Sequence, residues 1–338
     1  MNIPDYHVLP APLWLITILH VLTLTLHFAA MNFLFGGLVV LLFGKLDGKW
    51  HNPTVRKFIT LFPAAMAATV TLGVAPLLFL QLTFAQPAYS AAIVSGWLWL
   101  SISLAVIVAY YFLYGASFSN KPGRTPAFLT ISMVVLLFVS FVYSTVFSLA
   151  ERPDLYRQLY AANQSGTVVN PAVGAWLFRW LHMLAGAVTV GGFFVGLMGR
   201  NDEPVYRLGR GFLLGGMAVS IVLGFAYMMT LGEFLLPLMR SIAIWLVLVS
   251  LVLSMGSLHF FFRRKFVAAG LMLFVSLLSM VVIRHVLRLI VLKGEWDPAG
   301  VPVAPQWSVF AVFLACFVLA IGLLWYMLKV YFADRARA

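Results

Sequence analysis

Residues 13–43 read LWLITILHVLTLTLHFAAMNFLFGGLVVLLF, a stretch of 31 residues without one Asp, Glu, Lys or Arg. A helix rises about 1.5 Å per residue and needs about 20 apolar residues to cross the hydrocarbon core of a bilayer. The stretch is therefore predicted to be a transmembrane helix. Two histidines, His20 and His27, interrupt its apolar surface.

The rest of the chain is also strongly hydrophobic and poor in charged residues. Of the 338 residues, 63% are hydrophobic and 9% are charged, whereas a soluble domain carries about a quarter charged residues. A water-soluble globule is excluded, and uniform hydrophobicity without strand-like alternation predicts an all-α integral membrane protein. The nine predicted spans are residues 13–43, 58–84, 91–118, 127–149, 173–198, 208–231, 241–262, 266–292 and 307–332.

Positive charge predicts the orientation of these spans. The formal net charge is +12, and fifteen of the 22 Lys and Arg residues fall in alternate connections and the C-terminal tail. By the positive-inside rule that side is cytoplasmic, so the N-terminus is expected outside and the C-terminus in the cytoplasm. The excess of basic residues is then explained by the orientation of the protein in the membrane. Because it no longer points to binding of a polyanion, we expect no nucleic-acid partner. The expected location is the inner (cytoplasmic) membrane of a prokaryote, as a multi-pass protein.

The N-terminus and the cysteine count exclude other classes. The N-terminus lacks a basic segment and its first apolar run is too long, so no cleavable signal peptide is expected. The single cysteine, Cys316, excludes a disulfide framework, a multi-thiolate metal site and covalent attachment of c-type haem.

A weak internal repeat relates the first and fifth spans. His20 is matched with His182, and the glycine pair at 36–37 falls near the pair at 191–192. The second and sixth spans also correspond, in TLGVAPLLFLQL and VLGFAYMMTLGE. We expect two tandem four-helix units and a ninth helix. The predicted divisions are 1–150, 151–300 and 301–338, the last holding the ninth helix and the tail.

Four of the seven histidines lie within predicted spans: His20, His27, His182 and His285. An ionisable group in hydrocarbon is costly and is a functional candidate by default. The alternative is a histidine satisfied by a carbonyl or hydroxyl of a neighbouring helix. At about 1.5 Å per residue, three of the four are expected roughly 10–14 Å inside the outer boundary, namely His20, His182 and His285. Imidazoles that converge at one depth suit axial ligation of haem iron.

The other histidines are set aside. His7 and His51 are expected to be solvated, and His259 is expected near lipid headgroups. His20 and His27 are seven residues apart on one helix face, about 10 Å along the axis, which is too far to hold one iron together. They could serve two haems, or one could ligate while the other hydrogen-bonds.

Arginines gather at the same side of the predicted membrane. They are Arg179, one turn outward of His182; Arg284 and Arg288, which flank His285; and Arg240, at the start of the seventh span. Guanidiniums pair with carboxylates in bidentate geometry, so these side chains are candidate partners of haem propionates. The alternative is anchoring to lipid phosphate. No Asp or Glu lies inside a predicted span, which disfavours ion pumping and dioxygen reduction.

The chain resembles subunit I of the cytochrome bd quinol oxidases across most of the first six spans. The likeness lies in the histidine-bearing first helix, in LFPAAMAATVTLGVAPLLFLQLTFAQPAYS, and in WLHMLAGAVTVGGFFVGLMG. The resemblance implies haems near the outer face with axial histidines from the first and fifth helices. By position these are His182 and either His20 or His27.

The sequence also departs from that family. The third span, SGWLWLSISLAVIVAYYFLYG, lacks the family's membrane-embedded glutamates. The quinol-binding loop shrinks to residues 232–240, and the Gly-Arg-Gln-Pro-Trp signature is missing. No methionine matches the family's second low-spin ligand, so His285 is a candidate replacement.

These features predict a b-haem membrane subunit that carries electrons within a respiratory complex. The expected path runs between quinone or a partner redox subunit and a c-type cytochrome at the outer face. Short loops without a second cofactor motif imply further membrane subunits. The cofactor is expected to be one or more haem b, with quinone as a second candidate. Two alternatives stay open: a divergent terminal oxidase that reduces dioxygen, and a permease for metals or small solutes.

Overall fold

The computed structural model describes residues 8–119, 121 and 123–335, so His7 lies outside the described residues. Within these ranges nine helices are long and apolar enough to cross a membrane. The predicted all-α membrane fold with nine spans is thereby confirmed. The helices are α1 Leu13–Phe43, α2 Pro53–Thr83, α3 Ala85–Val94, α4 Gly96–Phe118, α5 Arg124–Leu149, α6 Pro153–Ala162, α7 Val173–Met198, α8 Glu203–Met229, α9 Leu235–Met239, α10 Ile242–Phe262, α11 Phe266–Val291 and α12 Trp307–Arg335.

The third span is shorter than predicted, because the chain breaks between α3 and α4. At the break, the hydroxyl of Ser95 donates to the carbonyl of Val168 at 2.7 Å. The backbone N–H of Trp97 donates to the carbonyl of Gly166 at 2.9 Å. These bonds give the polar groups at the break partners from a distant loop, so the helix can end inside an apolar run.

Helix α1 lies at the centre and packs against α2, α5, α7 and α11. It crosses α7 at Gly36 and Gly191. A Cβ on Gly36 would lie 2.9 Å from Cα of Gly191, and a Cβ on Gly191 would lie 2.6 Å from Cα of Gly36. Only glycine permits this approach of two backbones, which is the usual device for close helix packing in membranes.

The N-termini of α2 and α8 are joined by their capping residues. The side chain of Asn52 caps α2 by accepting from the N–H of Val55, and that of Asp202 caps α8 by accepting from the N–H of Val205. The amide of Asn52 and the hydroxyl of Thr54 both donate to Asp202 Oδ2 at 2.9 Å. Burial alone would raise the pKa of Asp202, but these hydrogen bonds outweigh it and hold the pKa below its ordinary value.

Helix α12 lies apart from this packing, and no residue of its candidate span, Trp307–Met327, is buried. Its connection to the bundle is the segment before it. There the N–H of Ala304 donates to the carbonyl of Leu9 at 2.9 Å, and the N–H of Gln306 donates to the carbonyl of Pro10 at 2.8 Å.

Candidate functional site

Three of the four intramembrane histidines are oriented by a backbone carbonyl of a neighbouring helix. The Nδ1 of His20 lies 3.1 Å from the carbonyl oxygen of Pro76, that of His27 2.9 Å from Thr69, and that of His182 2.8 Å from Ser220. A carbonyl only accepts, so the proton of each neutral ring sits on Nδ1.

This tautomer leaves the lone pair of each Nε2 available. Among the described residues, no hydrogen-bond partner of these three Nε2 atoms occurs. Histidines that ligate metals have this arrangement, since the second ring nitrogen donates to a carbonyl or carboxylate that fixes the ring. A histidine with a purely structural role is also expected to bond a neighbouring carbonyl, and each of these three does so. That bond occupies only one of the two ring nitrogens, however, and leaves the other for a ligand.

Glycines make room for two of these rings. A Cβ on Gly73 of α2 would lie 2.8 Å from Nδ1 of His27, and a Cβ on Gly224 of α8 would lie 3.2 Å from Nδ1 of His182. Each glycine is four residues beyond the carbonyl to which that histidine donates. A side chain at either position would push the ring away from its acceptor.

The structure corrects the expected match between His20 and His182. His27 and His182 each lie nine residues before a glycine of the α1–α7 crossing, Gly36 and Gly191 respectively. Each also donates to a carbonyl four residues before a glycine. His27 is therefore the structural counterpart of His182, and His20 lies about 10 Å further along α1 toward its N-terminus.

His20 meets His285 instead. Their ring centroids, on α1 and α11, are 6.3 Å apart with an angle of 50° between the ring planes. The Nδ1 of His285 is buried and has no hydrogen-bond partner in the described part of the chain. Phe84, at the end of α2, packs edge-on against His285 with centroids 6.0 Å apart. His285 is thus the one intramembrane histidine whose Nδ1 finds no acceptor in the described residues.

Three of the four predicted arginines converge on one carboxylate, that of Glu151. Arg288 Nε lies 3.2 Å from Oε1, Arg179 Nη1 lies 3.5 Å from Oε2, and Arg284 Nη2 is hydrogen-bonded to Oε1. The Glu151 side chain is 9% exposed. Burial alone would raise the pKa of Glu151, but the facing guanidiniums of Arg284, Arg288 and Arg179 hold it below its ordinary value.

This cluster carries a net charge of +2, from three guanidiniums and one carboxylate. Arg179 also donates to the carbonyl of Ser144 at 2.6 Å. The Nη1 of Arg284 is buried and has no hydrogen-bond partner among the residues that the structure describes. Excess positive charge and an unpaired donor are what an arriving anion requires.

Sequence reasoning did not single out Glu151, which lies just outside the predicted span 127–149. The sequence did offer a signal for its pairing with the arginines. Glu151 lies two residues beyond α5, on the side of the membrane to which the arginines were assigned. Arg240 was predicted with the other three, but it is exposed at the C-cap of α9 and lies outside the cluster. His51 and His259 are exposed, and neither joins the site.

The arrangement offers imidazole nitrogens to a metal that needs few protein ligands. Among the described residues no group of three or more His, Cys, Asp or Glu side chains is placed to hold a metal ion. Bare zinc takes four protein ligands in structural sites and three in catalytic ones.

No protein-family model matches the chain, and comparison with curated proteins finds no match.

Proposed function

We propose that this protein is a cytochrome bd-like b-haem subunit that carries electrons within a respiratory complex of a prokaryotic inner membrane. The observation that carries the proposal is the set of three membrane-embedded histidines, His20, His27 and His182. Each has Nδ1 on a carbonyl and an Nε2 without a hydrogen-bond partner among the described residues. Bound haem supplies reversible one-electron transfer at its iron.

The donor set fits haem better than a bare ion. A porphyrin supplies four nitrogens, so its iron needs only one or two axial residues. Isolated or paired histidines suffice for that, and the described residues provide no larger cluster. His285 completes the set of candidate axial ligands.

The arginine cluster fits the acidic edge of the same cofactor. Haem b carries two propionates, and the cluster of Arg179, Arg284, Arg288 and Glu151 has a net charge of +2. The buried Nη1 of Arg284, which has no partner among the described residues, is available to donate a hydrogen bond. Charge-assisted, bidentate pairing to carboxylates is the chemistry for which guanidinium is suited. These arginines would orient the cofactor, and Glu151 would hold them in place before it arrives.

Electron relay is favoured over dioxygen reduction by the position of the carboxylates. Glu151 is bound to three arginines, and the other acidic residues that the structure describes lie in connections or in the end turns of helices. A buried proton pathway to the histidines would need carriers that the span interiors lack. We therefore propose quinone or a partner membrane subunit as electron donor and a c-type cytochrome at the outer face as acceptor, with the N-terminus outside.

The test is haem content in matched variants. Wild type, H182A, H27A and the control H259A are purified in detergent, and haem per chain is measured as the pyridine haemochrome. His259 is exposed at the end of α10, so H259A is expected to keep the wild-type haem content. H182A and H27A are expected to lose haem or gain carbon-monoxide binding. Haem-free wild type of intact fold would refute the proposal.

A further inference from the structure

We propose that His20 and His285 are the two axial ligands of one haem iron, a bis-histidine centre between α1 and α11. This pairing rests on the haem-binding function proposed above and adds to it the identity of the ligand pair.

The ring separation carries the pairing. A bond from a metal to an imidazole nitrogen is about 2.0 Å long, and that nitrogen lies about 1.1 Å from the ring centre when ring bonds are about 1.33 Å. Two imidazoles on opposite sides of one ion therefore have centres about 6.2 Å apart. The His20 and His285 centroids are 6.3 Å apart.

The same separation excludes a direct hydrogen bond between the two rings. A hydrogen bond between two imidazole nitrogens, at about 2.9 Å, would bring the ring centres to about 5.1 Å. The observed 6.3 Å is more than 1 Å longer. The 50° between ring planes is compatible with a shared ion, because each plane only has to contain the axis through the metal.

The hydrogen bonds of the two rings agree with this geometry. His20 has its Nδ1 on the Pro76 carbonyl, which leaves Nε2 to ligate. His285 has a buried Nδ1 with no partner in the described residues, and a metal bound at that nitrogen would supply the missing partner. Because no third metal-binding side chain joins them in the described chain, the pair suits iron whose other four ligands come from a porphyrin.

The arginine cluster lies beside this pair. Arg288 follows His285 by three residues on α11, and its guanidinium stacks on Phe84 at 5.3 Å from the ring centroid. The same Phe84 ring packs edge-on against His285. A cofactor between His20 and His285 would therefore have the +2 cluster within one helical turn, where its propionates need counter-charges.

The test uses the full-length protein, as purified and after titration with haemin. Wild type, H20A, H285A, the double variant and H259A are compared by low-temperature electron paramagnetic resonance of the oxidised form and by carbon-monoxide difference spectra. The pairing predicts that H20A and H285A abolish the same low-spin signal. The double variant should lose no more than either single one, and H259A should keep the signal.

A conservative exchange guards against misfolding. H285M keeps a ligating side chain of similar size, and methionine in place of histidine raises the reduction potential of a haem. We expect H285M to retain haem, to replace the bis-histidine signature by a histidine–methionine one, and to shift the midpoint potential upward.

The outcomes separate the two proposals. If wild type binds haem and both H285A and H285M still show its low-spin signal, the pairing is overturned and the haem function stands. A His20–His285 pair that is bridged only by a water molecule would have the same consequence. Wild type that binds no haem, as purified or with added haemin, would overturn both.

Discussion

Replacing Glu151 by glutamine tests the arginine cluster. The substitution keeps the size of the side chain but removes the one negative charge among Arg179, Arg284 and Arg288, so the cluster rises from +2 to +3. Breaking a buried ion pair by removing one partner costs about 3–5 kcal/mol, because the remaining charge stays buried without compensation. At roughly 2–4 °C per kcal/mol, the apparent Tm should fall by about 6–20 °C.

The assay is thermal unfolding in nanodiscs, followed by tryptophan fluorescence. E295Q is the matched control, since Glu295 pairs with Arg157 at 3.1 Å while both side chains are more than a third exposed, at 39% and 54%. An exposed pair is worth about 0–1 kcal/mol, so the control should lose at most a few degrees. Equal losses in E151Q and E295Q would refute the assignment of a buried, structural charge cluster.

The same cluster predicts a pH dependence. The arginines hold the pKa of Glu151 below its ordinary value of 4.5. Its stabilising contribution is therefore complete above that pH and is lost as the pH falls toward the lower pKa of the folded protein. Wild type should lose stability below about pH 4.5, and the difference between wild type and E151Q should shrink in that window. A constant difference from pH 7 to pH 3 would contradict this.

Three further substitutions test the packing around the site. Gly36→Ala should destabilise the protein by about 1–3 kcal/mol, seen as a lower Tm, because the added methyl group meets the backbone of α7. The control Gly215→Ala has open space around it and should have little effect. Equal effects of the two substitutions would contradict the close crossing of α1 and α7. Gly73→Ala should displace the His27 ring from its carbonyl and reduce haem retention in a pyridine haemochrome assay, and unchanged retention would count against His27 as a ligand. Asp202→Ala should cost about 1 kcal/mol as a lost N-cap, and a variant as stable as wild type in thermal unfolding would show that the cap is dispensable.

The fold could be predicted because its signal is local. Hydrophobicity over 20 residues decides a span, and all nine predicted starts lie within five residues of the start of the corresponding helix. The same local signal missed the break at Ser95, since the polar groups there are satisfied by residues 166–168. That partner is distant in sequence and cannot be inferred from hydrophobicity.

The site could be predicted only in part, for the same reason. The four histidines were identified from their cost in hydrocarbon. The meeting of His20 with His285 depends on α11 packing against α1, which a single sequence does not reveal. The match of His27 with His182 was available, because each precedes a glycine pair by nine residues. Glu151 was passed over because its burial comes from the arrangement of α5, α7 and α11.

Haem stoichiometry of the purified wild type tests the central claim most directly. The full chain is expressed with haem supply intact, and its fold is checked by circular dichroism. A reduced-minus-oxidised spectrum and a pyridine haemochrome are then recorded on the same sample. We predict b-type bands and at least one haem per chain. A folded, helical protein with all four intramembrane histidines and no haem would contradict the account.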